Sequence, residues 1–354
     1  GATPADVAEP PRNPDDFVAA GDWVYFRAEA LGAGYELWRT NGSVTEVVAD
    51  IWPGPRSSTP VGMEALGDWV FFEAYTPTTG RELWRSNGVT TELVADINPG
   101  SPHSRPWRIK AMGGWVYFSA MTPNLGFELW RSNGETTELV ADINTGPKDS
   151  DPSNFEDMDG WLYFDAHALG AGLELWRSNG TDTTELVADI NPGSANSRPA
   201  DLEVLDGWVY FGAKTPELGR ALWRSNGAAT QLVADINPGS GDSVASALES
   251  MGGWIYFGAF GPGTGDELWR TNGEVTELVA DIADGTPWSR PRDLEASNGW
   301  VYFSARTAEH GEELWRTNGK VTELVADLLT GQEASDPGDM TALGGWVYFG
   351  ARSG

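Results

Sequence analysis

Glu82-Leu83-Trp84-Arg85-Ser86-Asn87-Gly88 is the phrase that decides the fold, because the chain writes it, with small changes, seven times. Its tryptophans are Trp38, Trp84, Trp130, Trp176, Trp223, Trp269 and Trp315, with successive spacings of 46, 46, 46, 47, 46 and 46 residues. A near-constant period of this size, with aromatics at fixed phase, is the signature of a β-propeller or a related repeat array.

Working outward from the phrase, the second repeat resolves into four short strands, A to D. Val61–Leu66 is strand A, followed by a Gly67-Asp68 turn. Trp69-Val70-Phe71-Phe72-Glu73-Ala74 is a β-prone run, strand B, apolar on both faces and therefore expected to be buried on both. Thr76 to Gly80 reads as a loop, Glu82–Arg85 as strand C and Thr91–Asp96 as strand D. Asn87-Gly88 is a strong hairpin signal, since both residues tolerate positive φ. Asn98-Pro99-Gly100-Ser101 makes a turn, with the preceding aspartates, such as Asp96 and Asp189, placed to cap it. A four-stranded sheet with two apolar faces must stack on copies of itself. Circular stacking gives a propeller; linear stacking gives a solenoid, whose coils are usually shorter and poorer in hairpins.

Strand B tryptophans recur eight times, at Trp23, Trp69, Trp115, Trp161, Trp208, Trp254, Trp300 and Trp346. Fifteen of the 18 tryptophans thus belong to the framework and are expected to pack blade on blade. Eight A–B hairpins meet only seven C–D hairpins. The expected architecture is an all-β propeller of four-stranded antiparallel blades in about eight sectors. Its last blade holds A and B and is completed by an N-terminal strand. Seven blades plus a spare hairpin is the alternative. Residues 1–14 read as a proline-rich strand or tail, and 15–354 as one repeat domain of period 46. Within the tail, Thr3 to Glu9 reads as a degenerate D strand, preceding a first A strand at Phe17–Ala20. Thr3, Val7 and Glu9, with Trp346 and Phe349 on the open last hairpin, form the candidate assembly set. Docking of the tail on its own blade closes a monomer. Docking on a neighbour's blade is donor-strand addition, which builds a filament.

Composition bounds the function. The chain has 354 residues, with 23 basic and 52 acidic side chains and a net charge of −29. Such a surface repels phosphate backbones and anionic lipid, which argues against nucleic-acid and membrane-surface roles. Cysteine is absent, so thiol chemistry is excluded. No run approaches the roughly 18 apolar residues of a membrane span. The chain begins at Gly1 rather than Met, as a cleaved signal peptide would leave it.

Glu82–Gly88, Leu93-Val94-Ala95-Asp96-Ile97-Asn98-Pro99-Gly100-Ser101 and Gly114-Trp115-Val116-Tyr117-Phe118 together resemble the ELWxxDGT repeat of bacterial secreted and surface proteins. The resemblance runs from about residue 15 to the end. It implies a propeller-like fold and an extracytoplasmic location, and no established activity. The repeat's Asp before Gly is Asn in all seven copies here, which keeps the turn and removes a charge.

Catalysis would need residues that break the repeat and converge. His103, His167 and His310 are scattered over loops, and neither a phosphate-cradling loop nor a GxSxG elbow is present. The recurrent glutamates of strand C (Glu36, Glu82, Glu128, Glu174, Glu267, Glu313) and strand D (Glu46, Glu92, Glu138, Glu185, Glu277, Glu323) are both lost in the fifth repeat, as Ala221 and Gln231. That coincidence suggests one shared partner. The recurrent strand C arginine is preferred, and a calcium ion per blade is the alternative; no other cofactor is expected. Three tryptophans fall outside the framework, Trp52, Trp107 and Trp288, all in or beside the D-to-A connection. They are the candidate contacts for a glycan or another partner, the alternative being that they cover neighbouring blade ends. The leading expectation is a non-catalytic secreted or cell-surface module whose partner is a copy of itself. A lectin is the alternative, and an enzyme working at the propeller mouth is the weaker third reading.

Overall fold

The computed structural model describes residues 11–352 except Val244, Thr286 and Pro287. Every regular element in it is a β-strand. The first blade is β1 (Arg12–Ala20), β2 (Trp23–Ala30), β3 (Gly34–Thr40) and β4 (Thr45–Ala49); the second is β5 (Val61–Leu66), β6 (Trp69–Thr76), β7 (Gly80–Ser86) and β8 (Thr91–Ala95). The order repeats in β9 (Trp107–Met112) to β12 (Thr137–Ala141), β13 (Ser153–Met158) to β16 (Thr184–Ala188), and β17 (Ala200–Leu205) to β20 (Thr230–Ala234). It continues in β21 (Ser246–Met251) to β24 (Thr276–Ala280) and β25 (Arg292–Ser297) to β28 (Thr322–Ala326). A final sheet has two strands, β29 (Gly338–Leu343) and β30 (Trp346–Gly350). The fold is therefore a β-propeller with seven four-stranded antiparallel blades and a short eighth sheet among the described residues. Two compact units divide the chain, Gly1–Ser153 and Asn154–Gly354.

Within each unit the blades pack as the sequence pattern demands. Val70, Phe72 and Ala74 on one face of β6 join Tyr25 and Leu37 of the preceding blade, bordered by Trp23 and Trp84. Phe71 and Leu83, on the other face, join Val116, Phe118 and Ala120 of the following blade, bordered by Trp69 and Trp130. Strand B is thus buried on both faces, and its tryptophan borders the same cluster as the strand C tryptophan of the next blade. First strands lie side by side, β1, β5 and β9 in the first unit and β17, β21, β25 and β29 in the second. They are tied there by carboxylates: Glu64 accepts from Ala111 N at 2.9 Å, and Glu249 from Ala296 N at 2.9 Å.

Two local expectations change. The first strand starts at Arg12 rather than Phe17, because register shifts around Asn13 and Asp16, both at positive φ, let pairing continue where the apolar alternation has stopped. The C–D hairpin is not a two-residue Asn-Gly turn. Four residues, 87–90, close it; Gly88 has φ +81°, while Asn87 stays out of the left-handed region. Asn87 acts through its side chain, with Oδ1 accepting from Val89 N at 3.0 Å and Thr90 N at 2.8 Å. Asn87→Ala is expected to cost about 1 kcal/mol in urea unfolding, since those amides are exposed enough for water to replace part of the bond.

The shared-partner reading of the glutamates is also corrected. In the observed register Arg85 faces Glu92, and Glu82 lies three residues further along β7, on the opposite face. Arg85 Nε donates to Glu92 at 2.8 Å, and its guanidinium stacks 4.1 Å above the Trp69 ring. The same stack recurs, for example as Trp23–Arg39–Glu46 and Trp254–Arg270–Glu277. In the fifth blade the Gln231 amide oxygen accepts from Arg224 Nε at 2.8 Å in place of the carboxylate. Glu82 has different partners, and nothing in the structure explains why both glutamates are lost together.

Candidate partner-binding face

The end of each blade where B turns into C, and where D leads to the next A, is fixed by four recurrent devices. The first is the glycine opening strand C. Gly80 has φ +75°, and an added Cβ would overlap the Pro102 carbonyl oxygen and lie 2.9 Å from His103 Nδ1. Only glycine lets the D–A connection approach this closely. The second is the buried strand C glutamate. Glu82 Oε1 accepts from Ser104 N at 2.8 Å; Oε2 accepts from Ile97 N at 2.8 Å and from Ser104 Oγ at 2.5 Å. It clamps both ends of the connection. Burial pushes Glu36, Glu82 and Glu128 up to about 7, although the serine and backbone donors pull the other way.

The third device is the expected aspartate cap: Asp96 Oδ2 accepts from Gly100 N at 3.1 Å, and Asp189 Oδ2 from Gly193 N at 3.1 Å. The fourth was not foreseen. The residue before the clamped serine offers an acceptor to the backbone N–H that follows the strand C glycine. Ser57 Oγ, His103 Nδ1, Asp149 Oδ1, Asn196 Oδ1 and Asp242 Oδ1 each do so at 2.9 Å.

On this fixed base sits a set of residues that do not recur. The cross-strand pair at the B–C end is Glu29/Tyr35, Tyr75/Arg81, Met121/Phe127, His167/Leu173, Lys214/Arg220, Phe260/Asp266 and Arg306/Glu312. The next pair inward is Ala/Glu in six blades and Ala213/Ala221 in the fifth. The end pairs therefore differ from blade to blade in charge and size, as do the strand B residues two places inward, Arg27, Glu73, Ser119, Asp165, Gly212, Gly258 and Ser304.

The candidate tryptophans belong to that end of their own blades. Trp52, in the connection after β4, is half-buried, with its ring 5.0 Å from Tyr75 and Arg56 5.2 Å above it. Trp107 opens β9, is 38% exposed, and lies 6.5 Å from Phe127 with Arg108 over it. Trp288 is 52% exposed, with Arg290 at 4.7 Å. It occupies the capping-acceptor position and offers no acceptor. His103, His167 and His310 stay in separate blades, and no group of three or more metal-ligating side chains is found among the described residues. In the assembly set, Trp346 opens β30 and is 73% exposed, and Phe349 is half-buried on the same strand. Thr3, Val7 and Glu9 lie outside the described residues.

A recurrent blade framework carrying non-recurrent loop-end residues defines the chain as a β-propeller. No protein-family model and no curated protein matches it. Solved structures do. A computationally designed protein, Ika8, aligns with TM-score 0.59 and 12% identity over 97% of this chain and 94% of its own. The β-propeller domain of the Trilobed protease from Pyrococcus furiosus, described as having an open velcro topology, aligns with TM-score 0.55 and 11% identity over 90% of this chain and 98% of its own. A puromycin hydrolase aligns with TM-score 0.56 and 15% identity over 97% of this chain, which spans 58% of that protein. At these identities the likeness is one of fold alone.

Proposed function

We propose that this chain is a non-catalytic, secreted or cell-surface β-propeller that works as an interaction module through the B–C end of its blades. The observation that carries this reading is the set of seven different cross-strand pairs on an otherwise recurrent framework. Varied side chains at loop ends held by a recurrent clamp are where a rigid scaffold carries its binding residues. The resemblance to ELWxxDGT repeats supports the extracytoplasmic location. Exposed Trp107 and Trp288 favour a glycan as the partner, since an indole offers large contact area at little entropic cost. A glycan array probed with the purified chain is expected to give reproducible hits, lost on Trp288→Ala. Broad glycosidase, esterase and phosphatase screens are expected to show no turnover. A signal abolished by one substitution would replace this reading with an enzymatic one.

Self-association is the second reading, favoured by Trp346. Its counterpart Trp69 is covered by an arginine from strand C, whereas Trp346 is 73% exposed and β30 pairs only with β29 among the described residues. An open strand edge invites another strand. The segment Thr3 to Glu9, of this chain or of a neighbour, is the proposed occupant. Deleting residues 1–10, which stops short of β1, is expected to lower the melting temperature if the strand docks at home, and to abolish polymer in light scattering if it docks on a neighbour. No change in either measurement counts against strand exchange.

A further inference from the structure

Trp52, Tyr75 and His103 form a row in the first unit, with ring centroids 5.0 Å and 5.8 Å apart. They come from three separate segments: the connection after β4, the end of β6 and the connection after β8. Arg56, exposed, lies 5.2 Å over the Trp52 ring at one end. Arg81, opposite Tyr75 in the ladder, is ion-paired to buried Glu73 at 2.6 Å, and exposed Arg105 is near enough to act on the His103 ring. No ion pair is found for Arg56 or Arg105 among the described residues. Two guanidinium groups without a direct ion pair thus lie near the aromatic row in a chain whose net charge is −29, Arg105 also acting at longer range on Glu73.

Of the row, only His103 does a framework task, capping Arg81 N; Trp52 and Tyr75 do not. At the Trp52 position four other blades carry an asparagine whose Nδ2 ties the connection to a carbonyl, as Asn98 does to His103 O at 3.1 Å and Asn144 to Asp149 O at 2.9 Å. Asn191 and Asn237 repeat this bond. Trp52 gives it up. His103 is oriented by its cap on Arg81. Its Nδ1 accepts from Arg81 N at 2.9 Å, so the ring proton sits on Nε2, which remains a donor. Burial, then Arg105, then Arg81 hold the imidazole below its ordinary pKa, so it stays neutral near pH 7.

We infer that this strip, Arg56–Trp52–Tyr75–His103–Arg105, binds an acidic saccharide, that is, sugar rings carrying carboxylate or sulfate groups. The inference rests on the reading of the B–C end as a glycan-binding face and names the ligand class. Sugar rings have apolar C–H faces that pack on indole and phenol. Their hydroxyls suit the Nε2–H of His103 and the Tyr75 hydroxyl. The guanidinium forks of Arg56 and Arg105 match carboxylate or sulfate oxygens. A long polyanion such as nucleic acid would meet the repulsion of the whole acidic surface, whereas a short charged sugar meets mainly these two cations.

The test titrates the full chain, by calorimetry, with hexagalacturonate, hexamannuronate, a chondroitin sulfate hexamer and fully methyl-esterified hexagalacturonate. At least one acidic oligomer is expected to bind about tenfold or more tightly than the neutral ester. The uronate and sulfate arms tell which anion the arginines prefer. The double variant Arg56→Ala/Arg105→Ala should lose about tenfold in that affinity with an unchanged melting temperature, while Lys214→Ala, in the second unit, leaves it unaltered. Equal binding of acid and ester overturns the acidic class and leaves glycan recognition standing. Acidic binding untouched by the double variant overturns the placement. Failure of every oligomer overturns this inference alone if the array gives reproducible hits of another class, and both readings if the array is blank.

Discussion

The folded protein is expected to lose stability as the pH rises from about 5 to about 8. Glu36, Glu82 and Glu128 are pushed up to about 7 by burial, and Glu249 to about 8 by burial and then by Glu203. An unfolded glutamate titrates near about 4.3. Between the two values the folded chain still holds protons that the unfolded chain has released. The stabilisation is therefore full below the unfolded value and is lost as pH rises through the folded one. Each carboxyl is worth on the order of 3–5 kcal/mol between the two limits. The geometry accommodates both protonation states. Ser150 Oγ lies 2.7 Å from Glu128 Oε2 and 3.1 Å from the Phe127 carbonyl oxygen. It can donate to the ionised carboxylate, or turn to the carbonyl and accept from the protonated one. The fifth blade, without the carboxyl, shows the turned arrangement: Ser243 Oγ donates to Arg220 O at 2.7 Å. Urea unfolding at constant ionic strength between pH 5 and 8 measures the effect. Glu82→Ala separates it from general self-repulsion, because it should cost more at pH 5 than at pH 8 and flatten the profile by one carboxyl's share. A stability that climbs with pH would contradict this account.

Gly80→Ala is expected to cost roughly 3 kcal/mol or more and to disturb the row that includes His103. Left-handed backbone alone costs a non-glycine residue roughly 1–2 kcal/mol. The remainder comes from the collision with the Pro102 carbonyl, which is backbone and can yield only if the whole connection retreats. Gly67→Ala is the control. It has φ +61° and nothing within 4 Å of an added Cβ, so it should show the dihedral cost alone. Comparable losses for the two variants would mean that close approach is not what the strand C glycine provides.

The blades were legible because periodicity and strand B aromatics are local signals, and a register error would place whole apolar faces in water. The Asn-Gly phrase gave the hairpin but hid its geometry, since a type I′ turn and an asparagine-capped four-residue loop use the same dipeptide. The glutamate pairing was misread because hairpin counting needs the loop length, and two extra loop residues moved Glu82 away from Glu92. The cap on strand C was invisible for another reason. Ser57, His103, Asp149, Asn196 and Asp242 share no chemistry except the ability to accept one hydrogen bond, and each lies 22 or 23 residues from the amide it serves. Trp52 and Trp288 were visible as exceptions to the repeat. What they displaced, a tie in one case and a cap in the other, needed coordinates.

The seven cross-strand pairs lie outside the glycine, glutamate and serine clamp that holds each connection in place. Exchange of one pair therefore leaves the clamp's hydrogen bonds untouched, and the neighbouring contacts that change are side-chain ones, such as that of Tyr75 with Trp52. A chain built this way behaves like type set in a fixed frame: tandem duplication supplies another slot, and drift at two positions rewrites it. Moving Tyr75 and Arg81 into the slot of Met121 and Phe127 transplants a recognition element one blade along, provided that Glu73, the ion-pair partner of Arg81, travels with them into the place of Ser119.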